Sequence, residues 1–350
     1  MRMYALVLHG IGDARYESVP IPKPGPGMAR IRVASCGVCG SDLPRMFVKG
    51  TYRFPTICGH EFAGTVDAVG EGVSEYSPGD RVTAFPLIWC DRCPACESGE
   101  YAQCSSYDYL GSRSDGAFAE YVVAPSRNLL RVPDGISLEA ASMTEPAAVA
   151  LHAIRRVPEP LVGETVAVFG AGPIGLLVSQ WARICGAGTV VIFDLVPRKL
   201  ETARDLGFRY TFDAGARNPV EEIRALTGDH GAGVCMEAAG APVALRRCIE
   251  AARPGGHVVI LGNPGADVML PASLVSLAMR SELSLHGSWN SRFSATGRND
   301  DWHAVLSAAA RGRLALEPLI SHRVPLAEAF DVLKMMRDQA GLFSKVLIQP

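Results

Sequence analysis

The sequence predicts an α/β protein of two domains, one β-rich and barrel-like, the other a doubly wound parallel sheet. Three observations predict it. At 350 residues the chain exceeds the roughly 250–300 residues beyond which a single hydrophobic core stops growing. From Met1 to about Ala148, short alternating apolar runs are cut by Gly and Pro clusters, as strands joined by turns require. From Thr165 onward, apolar strands alternate with helical periods, the pattern of βα units in a parallel sheet.

In the first region Ala29–Ser35, Gly64–Val69, Asp80–Ala84 and Phe118–Val123 are the strand candidates, and helical periodicity runs from near Ala140 through Glu145 to about Arg155. In the second, Thr165–Phe169 is a strand followed by a helix from Ile174, and Thr189–Phe193 is a strand followed by a helix from Pro197. Further strands are expected near Val234–Glu237, His257–Leu261 and Leu283–Gly287, then a polar loop and a helix around Trp302–Arg311. The expected division is a first domain from residues 1–148 and 289–350, with residues 149–288 inserted as the second.

Composition narrows the function. A formal charge of −2 supplies no field for nucleic acid or an anionic membrane. The most hydropathic stretch, Thr165 to Ala182, is interrupted by Gly170, Gly172, Pro173 and Gly175, so it reads as strand, turn and helix rather than a membrane span. The apolar run ending at His9 is too short for a signal sequence, and a cytoplasmic location is expected. Ten cysteines in a chain this long point to metal ligation and packing in a reducing compartment, not to a disulfide framework.

Four of them, Cys90, Cys93, Cys96 and Cys104, have the spacing C-x2-C-x2-C-x7-C. Thiolates two residues apart on a tight loop can meet one tetrahedral cation, and four of them make a closed, structural zinc site. Cys36, Cys58, Cys185, Cys235 and Cys248 are expected to be packing residues.

Gly170-Ala-Gly172-Pro173-Ile174-Gly175 follows a strand and opens a helix. Its glycines permit the tight turn, close approach to a pyrophosphate, and helix–strand packing, while the helix N-terminus offers N–H groups to phosphate. Asp194 follows at the tip of the next strand, where a carboxylate accepts ribose hydroxyls and repels a 2′-phosphate. NAD is therefore expected over NADP, although Arg198 and Lys199 are cations that could host that phosphate.

Cys36-Gly-Val-Cys39-Gly-Ser41-Asp42 is followed by Gly59-His60-Glu61, and Glu145 stands at a helix start. Thiolate, imidazole and carboxylate form a mixed set that leaves a position open, as catalytic zinc requires. Together with the glycine fingerprint these residues closely resemble the zinc-dependent medium-chain dehydrogenases, and Gly59, Gly64 and Gly70 fit that family's signature G-H-E-x2-G-x5-G. Cys39-Gly-Ser-Asp-Leu-Pro-Arg45, Gly111-Ser-Arg-Ser-Asp-Gly116, Gly287-Ser-Trp289 and Leu316-Glu-Pro-Leu-Ile320 are similar to segments of its polyol branch.

The resemblance implies a GroES-like β-barrel catalytic domain, a Rossmann domain, two zinc ions per chain and NAD, joined in a homodimer or homotetramer through cofactor-domain sheet edges. It implies Cys39, His60 and Glu145 as ligands of the reactive zinc, with Glu61 either a fourth ligand, a contact through water, or a residue that orients the site. Many members carry a proton-relaying histidine where this chain has Pro44, which leaves Ser41 and a carboxylate to move the proton. The implied reaction is hydride transfer from a secondary hydroxyl of a polyol or polyol phosphate to NAD; threonine 3-dehydrogenase-like, sorbitol-type or general secondary-alcohol oxidation is the alternative, and an NAD-binding sensor the non-enzymatic one. A phosphorylated substrate would need cations, for which Arg45, Arg113 and Arg292 are candidates, and the loop Trp289–Arg298 would line the substrate cleft.

Overall fold

A computed structural model describes residues 1–295 and 300–350. The chain forms two compact units: the first holds Met1–Glu145, Arg292–Gly312 and Leu319–Pro350, the second Pro146–Ser291 and Arg313–Pro318. The short Arg313–Pro318 return belongs to the second unit because Gln180 clamps it, donating to the Ala315 carbonyl at 2.9 Å and accepting from the Ala315 N–H at 2.8 Å.

The first unit is built around the strand Met28–Gly37, which pairs antiparallel with Glu61–Val69 along one edge and with Tyr121–Pro125 and Lys345–Gln349 along the other. Alternation decides its faces: Ala29, Ile31 and Val33 point into an apolar core with Phe62, Val66, Val82, Phe118 and Ile348. The register sets Gly37 opposite Glu61 and brings Leu347 alongside Gly37 from the far edge. Two distant segments, one following Gly59 and one near residue 345, thus meet at one point of the sheet.

The second unit is a six-stranded, all-parallel sheet in which Thr165–Phe169 lies between Thr189–Asp194 and Ala232–Glu237. Tyr210–Asp213 closes one side, and Ala252–Ile260 followed by Ser284–Gly287 the other. The strand order reverses between the first and fourth strands, which opens a crevice at their carboxyl ends where ligands bind in such sheets. Phe169, Phe193 and Phe212 stack across neighbouring strands with ring centroids 5.1 and 5.7 Å apart.

Most strand candidates lie inside the observed strands. Phe118–Val123 is displaced: the strand begins at Tyr121, because Phe118 and Ala117 instead hydrogen-bond to the Cys58 and Gly59 carbonyls. The continuous helix expected from Ala140 to Arg155 is two, Leu138–Ser142 and Thr144–Arg155. Among the described residues no helix is long and apolar enough to cross a membrane. Of the Trp289–Arg298 loop, residues 296–298 lie outside the described residues.

Candidate metal centres and nucleotide site

The four sulfurs of Cys90, Cys93, Cys96 and Cys104 lie within 4.8 Å of one another. Cys93 and Cys96 are 3.5 Å apart and Cys90 and Cys96 4.0 Å, bracketing the roughly 3.8 Å between sulfurs that a tetrahedron with ~2.3 Å Zn–S bonds requires. Backbone N–H groups are aimed at the sulfurs. That of Cys90 reaches Cys104 Sγ at 3.4 Å; those of Ser105 and Cys96 hold the Cys93 thiol down at about 6; and that of Arg92 lowers Cys90. Cys96, penalised by burial and by its neighbouring thiols, is pushed up to about 12. A set that stabilises one thiolate and resists the next fits a cation bound by all four. The loop is fastened by Trp89, whose ring stacks on Tyr101 at 4.1 Å and carries the Arg127 guanidinium at 4.2 Å.

The second centre lies in the same unit. Ligand atoms of Cys39, His60 and Glu61 fall within 4.8 Å of one another, and His60 and Glu61 are buried. Cys39 follows the end of the Met28–Gly37 strand, and His60 immediately precedes the Glu61–Val69 strand; the register between those strands is what brings them together. A Cβ on Gly37 would stand 2.3 Å from Glu61 Oε2, so any larger residue here would displace that carboxylate.

The charges are unusual for a protein interior. Burial, then the Glu61, Asp42 and Glu145 carboxylates, push the Cys39 thiol up to about 12. Burial likewise raises Glu145 to about 7, opposed by His60 and reinforced by Glu61. His60 Nδ1 is buried without a hydrogen-bond partner, a costly state for an imidazole nitrogen. A Cys39 thiol and a Glu145 carboxyl that burial keeps from ionising, beside a ring nitrogen without a hydrogen bond, make a donor set short of positive charge. It fits a divalent cation.

Glu145 is close in charge but separate in geometry: it does not belong to the tight cluster of Cys39, His60 and Glu61, and Tyr109 Oη donates to its Oε1 at 3.3 Å. The Tyr109 ring meets the His60 ring edge-on at 5.6 Å. Ser41 is exposed, with Oγ 3.3 Å and N 3.5 Å from Cys39 Sγ.

Three groups that sequence reasoning passed over hold this centre. Asp42, fully buried, accepts from the Cys39 N–H at 3.0 Å and from Arg45 Nη1 at 2.6 Å, and its Oδ1 stands 3.6 Å from His60 Nδ1. Arg45 is thus paired inside the protein, not offered to a substrate. Lys345, also buried, contacts Glu61 Oε2 at 2.5 Å and donates to the Val38 carbonyl at 3.0 Å. Burial pulls its ammonium down, and Glu61, Cys39 and Glu145 more than offset that. The signal for Lys345 was a lone cation opening the apolar run Lys345-Val-Leu-Ile348; for Asp42, a carboxylate three residues after a candidate ligand. Tyr109 carried no such signal.

In the second unit the fingerprint makes the turn at the carboxyl end of Thr165–Phe169 and opens the helix Pro173–Ile184, with Pro173 and Ile174 in its first turn. A Cβ on Gly175 would stand 1.8 Å from the Gly170 carbonyl oxygen, so only glycine lets this helix reach the turn. Asp194 ends the adjacent strand; its Oδ2 accepts from the Ala171 N–H at 2.7 Å and its Oδ1 from the Val196 N–H at 2.8 Å. Lys199 lies half-buried in the first turn of the helix Pro197–Asp205.

Residues 25–134 match the alcohol dehydrogenase GroES-like domain, and residues 173–311 match the zinc-binding dehydrogenase domain. The chain is 36% identical to galactitol 1-phosphate 5-dehydrogenase of Escherichia coli K12 over 84% of both chains. It is 31% identical to sorbitol dehydrogenase of Bacillus subtilis over 99% of this chain and 97% of that one. The crystal structure of galactitol-1-phosphate dehydrogenase from Escherichia coli superposes with a TM-score of 0.92 at 33% identity, covering 99% of this chain and 100% of that one. With the glycine fingerprint, the four-thiol loop and the mixed donor set seated in those two domains, this chain belongs to the zinc-binding medium-chain dehydrogenases, the oxidoreductases that pair a GroES-like domain with a Rossmann domain.

Proposed function

We propose that the chain oxidises a secondary hydroxyl of a polyol or polyol phosphate, with NAD as hydride acceptor and two zinc ions, one structural at Cys90, Cys93, Cys96 and Cys104. The observation that carries this reading is the convergence of Cys39, His60 and Glu61, whose ligand atoms lie within 4.8 Å of one another with His60 and Glu61 buried. Cys39, His60 and Glu145 would hold the reactive zinc, and Glu61 would orient the site or approach the metal, its carboxylate already gripped by Lys345. Zinc held there would supply Lewis acidity to the alcohol, and NAD would supply the acceptor for the hydride.

The chain's own residues do the rest. Asp42 and the Ser41 N–H fix the Cys39 turn, so the thiolate is presented in one orientation. Tyr109 holds the Glu145 carboxylate on one side of His60. With Pro44 in place of an imidazole, the exposed Ser41 hydroxyl beside Cys39 is the group that passes the alcohol's proton to solvent. Gly172 and the amino end of the helix Pro173–Ile184 would hold the pyrophosphate, and Asp194, at the tip of the next strand, would accept from the adenosine ribose hydroxyls.

Self-association is supported by the free edge of the parallel sheet. Among the described residues Ser284–Gly287 is the outermost strand, with Leu285 exposed, and the helix Ala272–Arg280 before it exposes Val275, Leu277 and Met279. An uncovered strand edge beside an apolar helix face invites a second copy.

Four outcomes are expected. A screen of galactitol 1-phosphate, free polyols and L-threonine produces NADH with a polyol or its phosphate, and Cys39→Ser or His60→Ala abolishes this while NADH fluorescence titration shows retained binding; near-wild-type kcat in either variant would move the zinc elsewhere. Asp194→Ala weakens NADH and narrows discrimination against NADPH, read from the ratio of their dissociation constants. Lys345→Met leaves the Glu61 carboxylate buried and uncompensated, and lowers unfolding free energy by about 3–5 kcal/mol in urea titration. Light scattering gives a dimer or tetramer mass that Leu285→Glu reduces; a single-chain mass for the wild type would remove the self-association.

A further inference from the structure

We propose that Arg113 is the phosphate anchor of the substrate site, so that the preferred alcohol is a polyol phosphate and not a free polyol. This rests on the dehydrogenase reading above and specifies its substrate class.

The guanidinium of Arg113 lies over the ring of Tyr52 at 4.0 Å and over that of Tyr107 at 4.4 Å. The two rings hold the planar group between them by cation–π attraction, which uses none of its five N–H donors as a conventional hydrogen bond. Among the described residues no carboxylate pairs with Arg113, and its Nε is buried without a hydrogen-bond partner. The neighbouring Ser114 Oγ is likewise buried and unpartnered. A buried donor left unmade is costly unless something else fills it, and the ligand that matches the forked edge of an arginine is a phosphate. The nearby acid, Asp115, is neutralised by Arg53 at 3.0 Å.

Position ties this group to the reaction. The loop Gly111–Gly116 packs backbone to backbone on Gly59, the residue before His60: a Cβ on Gly111 or Gly116 would stand 2.5 or 2.1 Å from the Gly59 carbonyl oxygen. Ala117 N donates to that carbonyl at 2.9 Å, and Arg113 N donates to the carbonyl of Tyr109 at 2.9 Å. Tyr109 in turn touches both His60 and Glu145, and its ring stands 6.3 Å from that of Tyr107. One short stretch of chain, residues 109–117, thus both carries Arg113 and borders His60 and Glu145. The other two arginines considered for this role are engaged: Arg45 with buried Asp42, and Arg292, half exposed, 3.8 Å from Glu100.

The test compares galactitol 1-phosphate with galactitol on the zinc-loaded full chain, by kcat/KM with NAD and by calorimetric titration without it. The wild type is expected to favour the phosphorylated alcohol by about 10- to 100-fold, the worth of a charge-assisted hydrogen-bond pair. R113Q should collapse that preference in both measurements, and R113K, which keeps the charge but not the fork, should fall between. Near-UV circular dichroism of R113Q matching the wild type shows that the Tyr52–Tyr107 cage persists, separating lost binding from lost structure. A wild type indifferent to the phosphate, or an R113Q that keeps the wild-type preference, overturns the anchor while leaving the dehydrogenase reading in place. If no alcohol yields NADH, the dehydrogenase reading fails, and the titration still decides the anchor: Arg113-dependent binding of galactitol 1-phosphate upholds it, and binding unaffected by R113Q overturns it.

Discussion

The constraint on which this molecule depends is the cost of keeping several acidic groups out of water at one point. Cys39, Glu61, Asp42 and Glu145 are all drawn toward His60, and a low-dielectric interior penalises each added negative charge. Two internal cations answer part of that penalty, Arg45 at Asp42 and Lys345 at Glu61. The remainder is a demand that a divalent cation at this point would answer. The sheet register, the glycine opposite Glu61 and the terminal strand all serve to hold those charges in place.

The division of labour between the two centres follows from their donors. The four-thiol loop is closed and satisfied by backbone N–H groups, and its aromatic anchor ties it to the body of the unit. The mixed centre is held from behind by Asp42 and Lys345, while the exposed Ser41 beside Cys39 keeps a connection to water. A closed site stiffens a loop; one with a solvent-linked hydroxyl at its edge can exchange ligands and protons.

Much of this was legible in the sequence because it is written in local patterns. Cysteine spacing, the glycine fingerprint and the alternation of strands and helices are short-range signals whose meaning hardly changes with context. Helix and strand limits were read less well where tertiary bonds override periodicity, as where Phe118 bonds to Cys58 before its own strand begins. The residues around the mixed centre escaped for a different reason. Asp42 and Lys345 owe their roles to partners brought near by sheet pairing, and Arg45 and Arg113 are chemically alike in sequence; only the carboxylate beside one and the tyrosines around the other separate them.

The Lys345–Glu61 pair joins residues 284 positions apart. The entire nucleotide-binding unit is inserted between the carboxylate and its counter-ion. An amino-terminal fragment, however complete its row of ligands, would lack the charge that steadies them. Ordering this centre is therefore an act of the whole polypeptide.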